Sequence, residues 1–243
     1  LENVRFYPEE EKNNQSFANK IAELGDIYVN DAFSAAHRAH ASTEGVAHLL
    51  PCYAGRLMEA ELQALGAALE EPERPVVAIV GGAKISTKID LLQNLVKKID
   101  TLILGGGMAN TFLYAQGFGI GKSLCEKDMS EQARHTMVAA QNAGCKIVLP
   151  ADAVTAKEFK AMSPSTVRDL SHIQDDDLVL DIGPKTISEI KSILEKSKTI
   201  LWNGPLGAFE TKPFDQGTTS VAAIVAQLTQ EKRLKSIAGG GDT

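Results

Sequence analysis

The chain has 243 residues, 44% apolar and 23% charged, with a formal charge of -6. That is the composition of a folded protein of one large or two modest domains, and it excludes a disordered chain. The negative balance excludes a nucleic-acid surface as the main function, because binding a phosphate backbone needs a basic face, so any anionic substrate must be held by local cations. In chain order, Phe17, Ile21 and Leu24 recur at helical spacing before Gly25, and residues 27–29 read as a strand leading into Asn30 and Asp31. This piece is too small for a complete domain. Met58, Leu62, Leu65 and Leu69 stripe one further helix, and the charged residues 70–75, with Pro72 and Pro75, mark a boundary.

Beyond that boundary a unit repeats: a short β-branched run, a Gly-rich turn, then helical periodicity. Residues 76–80 lead into Gly81 and Gly82, and Ile85, Ile89, Leu92, Leu95 and Ile99 predict the helix that follows. Residues 102–104 lead into Gly105, Gly106 and Gly107. Further strand candidates are 146–149, 178–182, 199–202 and 236–238. Six candidates alternating with helices predict an α/β fold with one parallel sheet.

Cys52, Cys125 and Cys145 are widely spaced and contain no CxxC pair, which suits a reducing cytoplasm better than a disulfide framework or a zinc site. No apolar run approaches the ~20 residues that span a bilayer, and no signal peptide is evident. The chain opens on Leu1 inside an apolar stretch and closes on glycines directly after a strand-like run, so a fragment of a longer protein is expected.

In an open parallel sheet, ligands bind beyond the carboxyl ends of the strands, where helix N-termini and loops present backbone N–H groups. Glycines there admit phosphate oxygens close to the backbone. One glycine pair is more often a simple turn. Here glycines follow four strand candidates, at 81–82, 105–107, 204 and 239–241, which favours a phosphate site. The common nucleotide patterns fail. Gly121, Lys122 and Ser123 imitate the end of a Walker A loop, but Gln116 stands at its first glycine; Asn110 likewise breaks GxGxxG after Gly105 and Gly107. Neither a P-loop ATPase nor an NAD-dependent dehydrogenase is supported.

Lys84 and Lys88, four residues apart, are expected on one face of the helix after Gly81 and Gly82. Two cations near a helix N-terminus suit phosphate contact, although a solvated surface pair has the same spacing. Asp242 fits either a Mg²⁺ ligand or a helix cap, and Glu210 either a ribose acceptor or a surface carboxylate. His37, Arg38 and His40 form a basic loop cluster, with Arg5 at the end of an earlier strand-like run. Two arginines near one cleft suit an acidic phosphorylated metabolite, while an ion-pair network accounts equally well for the cluster. His48, His135 and His172 show no ligand spacing.

At these residues the chain resembles the phosphoglycerate kinase family. The matching segments are LENVRF at Leu1, NDAFSAAHRAHAS at Asn30, RPVVAIVGGAKISTKI at Arg74, LILGGGMANTF at Leu102, LWNGPLGAFE at Leu201 and GGGDT at Gly239, in family order and spacing. The resemblance implies a two-domain, Rossmann-like three-layer kinase with an incomplete N-terminal domain. Residues 1–55 would be the remnant of the phosphoglycerate-binding domain, 56–75 the interdomain helix and linker, and 76–243 the nucleotide-binding domain without its C-terminal helix. It implies reversible transfer between MgATP and 3-phosphoglycerate, giving MgADP and 1,3-bisphosphoglycerate, by a cytoplasmic monomer with no nucleic-acid or membrane partner. Arg5, His37 and Arg38 would hold the phosphoglycerate, Arg38 and Lys84 would act on the phosphoryl group in flight, and Lys88 would bind nucleotide phosphate. Gly81, Gly82, Gly105, Gly106, Asn203, Gly204, Phe209 and Glu210 would build the nucleotide site. Gly240, Gly241 and Thr243 would meet the phosphates and Asp242 would anchor Mg²⁺. The family's DFNxP-type and HxGR-type segments have no counterpart before Leu1, so this chain alone is expected to bind nucleotide without turnover.

Overall fold

A computed structural model describes residues 2–69 and 72–240. The chain divides into two units, Leu1–Glu70 and Glu71–Thr243, a division that falls inside the segment 56–75 expected to link two domains.

The first unit contains α1 (Pro8–Glu11), α2 (Gln15–Ala22), β1 (Tyr28–Asn30), β2 (Cys52–Ala54) and α3 (Arg56–Leu69). The strands β1 and β2 pair in parallel, Tyr28 opposite Cys52. Asp31, just past β1, accepts the N–H of Met58 at 2.9 Å and so satisfies an orphan amide in the first turn of α3. Buried Glu10 accepts the Ser42 N–H at 3.0 Å and fixes the turn of π-helix at Ala41–Gly45 against α1. The segment around Arg5, expected to be strand-like, is instead a 3₁₀ turn, Val4–Phe6. The Asn3 side chain accepts the Arg5 N–H at 3.0 Å, and Pro8 then opens α1, so local capping overrides β propensity.

The second unit runs through β3 (Val76–Val80), α4 (Ile89–Leu95), β4 (Thr101–Leu104), α5 (Gly106–Ala115), α6 (Ser130–Asn142), β5 (Lys146–Val148), β6 (Asp152–Ala156), β7 (Ser165–Asp169), β8 (Leu178–Ile182), α7 (Pro184–Leu194), β9 (Thr199–Asn203), α8 (Gln216–Gln230) and β10 (Lys235–Ala238). Five strands form one parallel sheet in the order β10-β9-β3-β4-β5. The order of progression reverses between β3 and β9, the Rossmann-like switch point at which such sheets open a crevice.

Successive residues of β3 divide the core. Val76, Ala78 and Val80 pack with Leu92 and Val96 of the α4 region, Phe112 of α5 and Ala133 of α6. Val77 and Ile79 face Ile190 and Leu194 of α7 and Val221 and Leu228 of α8. Burial on both faces explains why β3 reads as an unbroken apolar run, and the result is a three-layer α/β fold.

A second expectation fails. Leu178–Ile182 does not join the parallel sheet: it pairs antiparallel with β6, which pairs antiparallel with β7, in a separate three-stranded sheet. A short apolar run does not encode which sheet it joins. Among the described residues no helix is long and apolar enough to cross a membrane.

Candidate functional site

The four glycine turns all lie at the carboxyl edge of the parallel sheet, after β3, β4, β9 and β10. After β3, β4 and β9 their first role is to let the loops touch. A Cβ at Gly81 would lie 1.8 Å from the Pro205 carbonyl oxygen, and one at Gly105 would lie 2.7 Å from the Leu206 Cα. Gly81 donates its N–H to the Asn203 carbonyl at 2.9 Å, which closes the switch point directly. The amides opening α5 are also engaged, Gly106 N–H on Leu206 O at 2.8 Å and Met108 N–H on Gly82 O at 3.0 Å. These amides hold neighbouring loops together.

Beside this closed junction lies a cleft of about 620 Å³, within the range of small-molecule sites. Gly82, Gly106 and Gly107 lie on one side, β8 forms one wall, and residues 205–211, including Phe209 and Glu210, form another. Asn110, the residue that breaks the dinucleotide pattern, is buried and donates to Leu124 O at 3.1 Å at the cleft margin. The turn of Gly121, Lys122 and Ser123 is knitted to the start of β8, Lys122 N–H on Asp177 O at 2.8 Å and Val179 N–H on Ser123 Oγ at 2.8 Å. It is a structural turn that also lines the cleft.

Lys84 and Lys88 are not on a helix face. The helix expected from Ile85 begins at Ile89, with Lys88 as its N-cap. Glu126 accepts the Ser86 N–H at 3.0 Å and the Ser86 hydroxyl at 2.6 Å, and Thr87 Oγ1 donates to Lys84 O at 2.9 Å, which together hold 84–88 as a turn. Lys84 is exposed at the tip. Burial pushes the Glu126 carboxyl up, but the bonds from Ser86, a backbone N–H from Ile85 and the nearby Lys84 charge outweigh it and leave the carboxyl below its ordinary value. Lys88 is half-buried and reaches back to Gly81 O at 2.8 Å and Asn203 Oδ1 at 2.5 Å. Asn203 Nδ2 donates to Gly239 O at 2.9 Å, so Lys88 and Asn203 bind the loops after β3, β9 and β10 into one junction.

Of the residues read from the sequence, Gly82, Gly106, Phe209 and Glu210 line the cleft. Gly81, Lys88, Gly105, Asn203 and Gly204 form the adjoining junction, and Gly240 follows β10 with φ +111°. Gly241, Asp242 and Thr243 lie outside the described residues. In the first unit Arg5, His37 and Arg38 are exposed, and no ion pair among the described residues engages them. His40 lies 3.7 Å from Glu10.

Sequence reasoning missed Asp181, in the β8 wall of the cleft. Its Oδ2 accepts the Gly217 N–H at 2.7 Å and its Oδ1 the Ile182 N–H at 2.8 Å. Burial pushes this carboxyl up to about 7; the two N–H groups pull it down and the Asp215 charge adds to the rise. The signal was present: an aspartate inside an apolar strand run, next to Gly183 and Pro184.

The profile of the family described as phosphoglycerate kinase matches residues 1–243. The chain belongs to the phosphoglycerate kinase family. The phosphoglycerate kinase of Rhodospirillum centenum is 63% identical over 243 residues, and that of Rhizobium meliloti 61%; each match covers 100% of this chain and 61% of the relative. Among solved structures, phosphoglycerate kinase from Coxiella burnetii aligns with a TM-score of 0.84 at 45% identity, covering 98% of this chain and 61% of that one. The Pyrococcus horikoshii OT3 phosphoglycerate kinase aligns with a TM-score of 0.78 at 28% identity, covering 98% and 66%. The chain thus spans 61% of the length of these curated relatives.

Proposed function

We propose that this chain is the nucleotide-binding part of a phosphoglycerate kinase whose parent protein catalyses reversible phosphoryl transfer between 1,3-bisphosphoglycerate and MgADP, giving 3-phosphoglycerate and MgATP. The observation that carries the reading is the cleft beside the switch point of the parallel sheet, bordered by the glycine turns that the family match spans. Phe209 and Glu210 take the nucleoside end, and the loops tied by Lys88 and Asn203 take the phosphates. Lys84, on its turn near the cleft, neutralises charge on the phosphoryl group in flight, since such transfer is mainly positioning and electrostatic stabilisation. Asp242 would hold the Mg²⁺ that accompanies the nucleotide and offsets phosphate charge, and Gly240, Gly241 and Thr243 would meet the phosphates. Arg5, His37 and Arg38, exposed and without ion-pair partners among the described residues, take the acidic substrate by charge-assisted bonds, with Arg38 also acting on the transferred group. The parent protein acts as a cytoplasmic monomer.

A second reading applies to the chain by itself: nucleotide binding without transfer. It is favoured by the 61% coverage of the relatives, because in-line transfer fails when the acid-binding residues are not all held in place. A coupled assay of ATP formation from 1,3-bisphosphoglycerate tests both. The parent protein is expected to turn over and this chain to show none. A parent protein with no turnover but intact ADP binding would overturn the kinase assignment.

A further inference from the structure

Asp181 is 3% exposed, and among the described residues no cation pairs with it. Burying a carboxylate without a counter-charge is costly unless fixed dipoles replace water. Here the replacement is the first turn of α8, where the Gly217 N–H meets Oδ2 at 2.7 Å. Asp215, the residue at the ordinary capping position of α8, makes no side-chain cap bond. Capping has passed to a strand in the cleft wall. The same turn of α8 holds the opposite wall, because Thr218 Oγ1 accepts the Leu206 N–H at 3.0 Å. Leu206 O accepts the Gly106 N–H at 2.8 Å, and Ala208 N–H donates to Leu180 O at 2.7 Å. Packing is equally close, since a Cβ at Gly207 would lie 2.2 Å from Asp181 Oδ1.

We propose that Asp181 is a positioning residue for the nucleoside end of the cleft: its carboxylate registers the first turn of α8 and, through Thr218, the loop that carries Phe209 and Glu210. This rests on the nucleotide reading of the cleft. The carboxylate form makes the hold, because it accepts both N–H bonds as charge-assisted bonds, whereas a protonated carboxyl gives up acceptor strength. Of the elements packed on β8, α5 and α8 carry no Asp, Glu, His, Lys or Arg. The β6 strand contributes Asp152, whose carboxylate is committed to the Lys185 and Thr186 N–H groups of α7. The loop contributes Glu210 and Lys212, and Asp215 precedes α8. Burial pushes the carboxyl up to about 7 while the Gly217 and Ile182 N–H groups pull it down. With the side chain kept buried, these bonds therefore strengthen as pH rises through neutrality, although the buried charge costs the chain overall stability over the same range.

The test uses adenosine, which has no phosphate to titrate, bound calorimetrically to this chain from about pH 5.5 to 8.5. Wild-type affinity is expected to rise about tenfold with pH, and Asp181→Asn to bind about tenfold more weakly than wild type at high pH, without that dependence. Thr218→Val leaves the carboxylate intact; it should lower affinity at every pH and keep the pH dependence. Amide exchange at residues 206–210 without ligand should quicken about tenfold in both variants. Unchanged exchange, affinity and pH profile in Asp181→Asn would overturn the proposal. Wild type that binds no adenosine at any pH would instead sink the nucleotide reading, and the exchange rates would still decide whether Asp181 holds the loop. If Asp181→Asn does not fold, the protection of the wild-type amides at 206–210, their exchange rates taken relative to the intrinsic rate at each pH, decides: protection that falls below neutrality supports the hold and protection that does not change with pH rejects it.

Discussion

Replacing Gly81 by alanine perturbs the junction of the glycine loops where it is tightest. The added Cβ would lie 1.8 Å from the Pro205 carbonyl oxygen and 2.7 Å from its carbonyl carbon. Both are main-chain atoms, so no side-chain rotation relieves the contact. Real Cβ contacts essentially never fall below 3.0 Å, so the two loops must part by about 1.2 Å. That parting strains the Gly81 N–H bond to Asn203 O, 2.9 Å long, and the Lys88 tie across the same junction. Overpacking of this kind costs about 1–3 kcal/mol, and a weakened backbone bond adds about 1 kcal/mol, for a destabilisation of roughly 3 kcal/mol. Two controls bracket the value. Gly144 has φ +73° with nothing near its Cβ position, so alanine there carries only the backbone strain of about 1 kcal/mol. Gly119 also meets nothing within 4 Å and has no left-handed φ, so alanine should change stability by no more than about 0.5 kcal/mol. Urea unfolding followed by Trp202, the sole tryptophan, reports on the junction, since its indole N–H donates to Gly204 O at 2.7 Å. Gly81→Ala as stable as Gly119→Ala would refute the close-approach account.

Lys88→Ala should weaken MgADP by at least tenfold and adenosine less; equal losses would leave Lys88 with the loop-tying role alone. In the parent protein, Lys84→Ala should lower kcat strongly while nucleotide affinity stays within severalfold, and normal kcat with poor ADP binding would reassign it to ground-state binding. For Asp181 the folded carboxyl, at about 7, lies above its ordinary 3.8, so its stability contribution is full below about pH 3.8 and is lost as pH rises through about 7. The stability difference between wild type and Asp181→Asn should therefore shift against wild type over that window, by on the order of 4 kcal/mol at most, and a pH-independent difference in urea unfolding contradicts it.

The parallel sheet was legible because β3 and β4 are buried on both faces and are therefore written as apolar runs ending in glycine. The antiparallel sheet was not. Its β7 strand, Ser165–Asp169, is largely exposed and polar, and nothing in Leu178–Ile182 says which neighbour it pairs with. The glycine turns could be placed at the sheet edge from sequence, yet their close packing on one another depends on main-chain distances between segments more than a hundred residues apart. Lys84 and Lys88 were misplaced onto a helix for a related reason: the turn over 84–88 is held by Glu126, forty residues downstream of Ser86, which no local periodicity records.

The central claim is that the cleft bordered by Gly82, Gly106, Phe209 and Glu210 binds an adenine nucleotide. Calorimetric titration of this chain with MgADP, with NAD as the comparison ligand, tests it most directly. The account predicts one saturable MgADP site, competed by adenosine and weakened by Phe209→Ala, with NAD binding at least tenfold more weakly. No MgADP binding, or MgADP binding that adenosine does not displace and Phe209→Ala leaves unchanged, would contradict it.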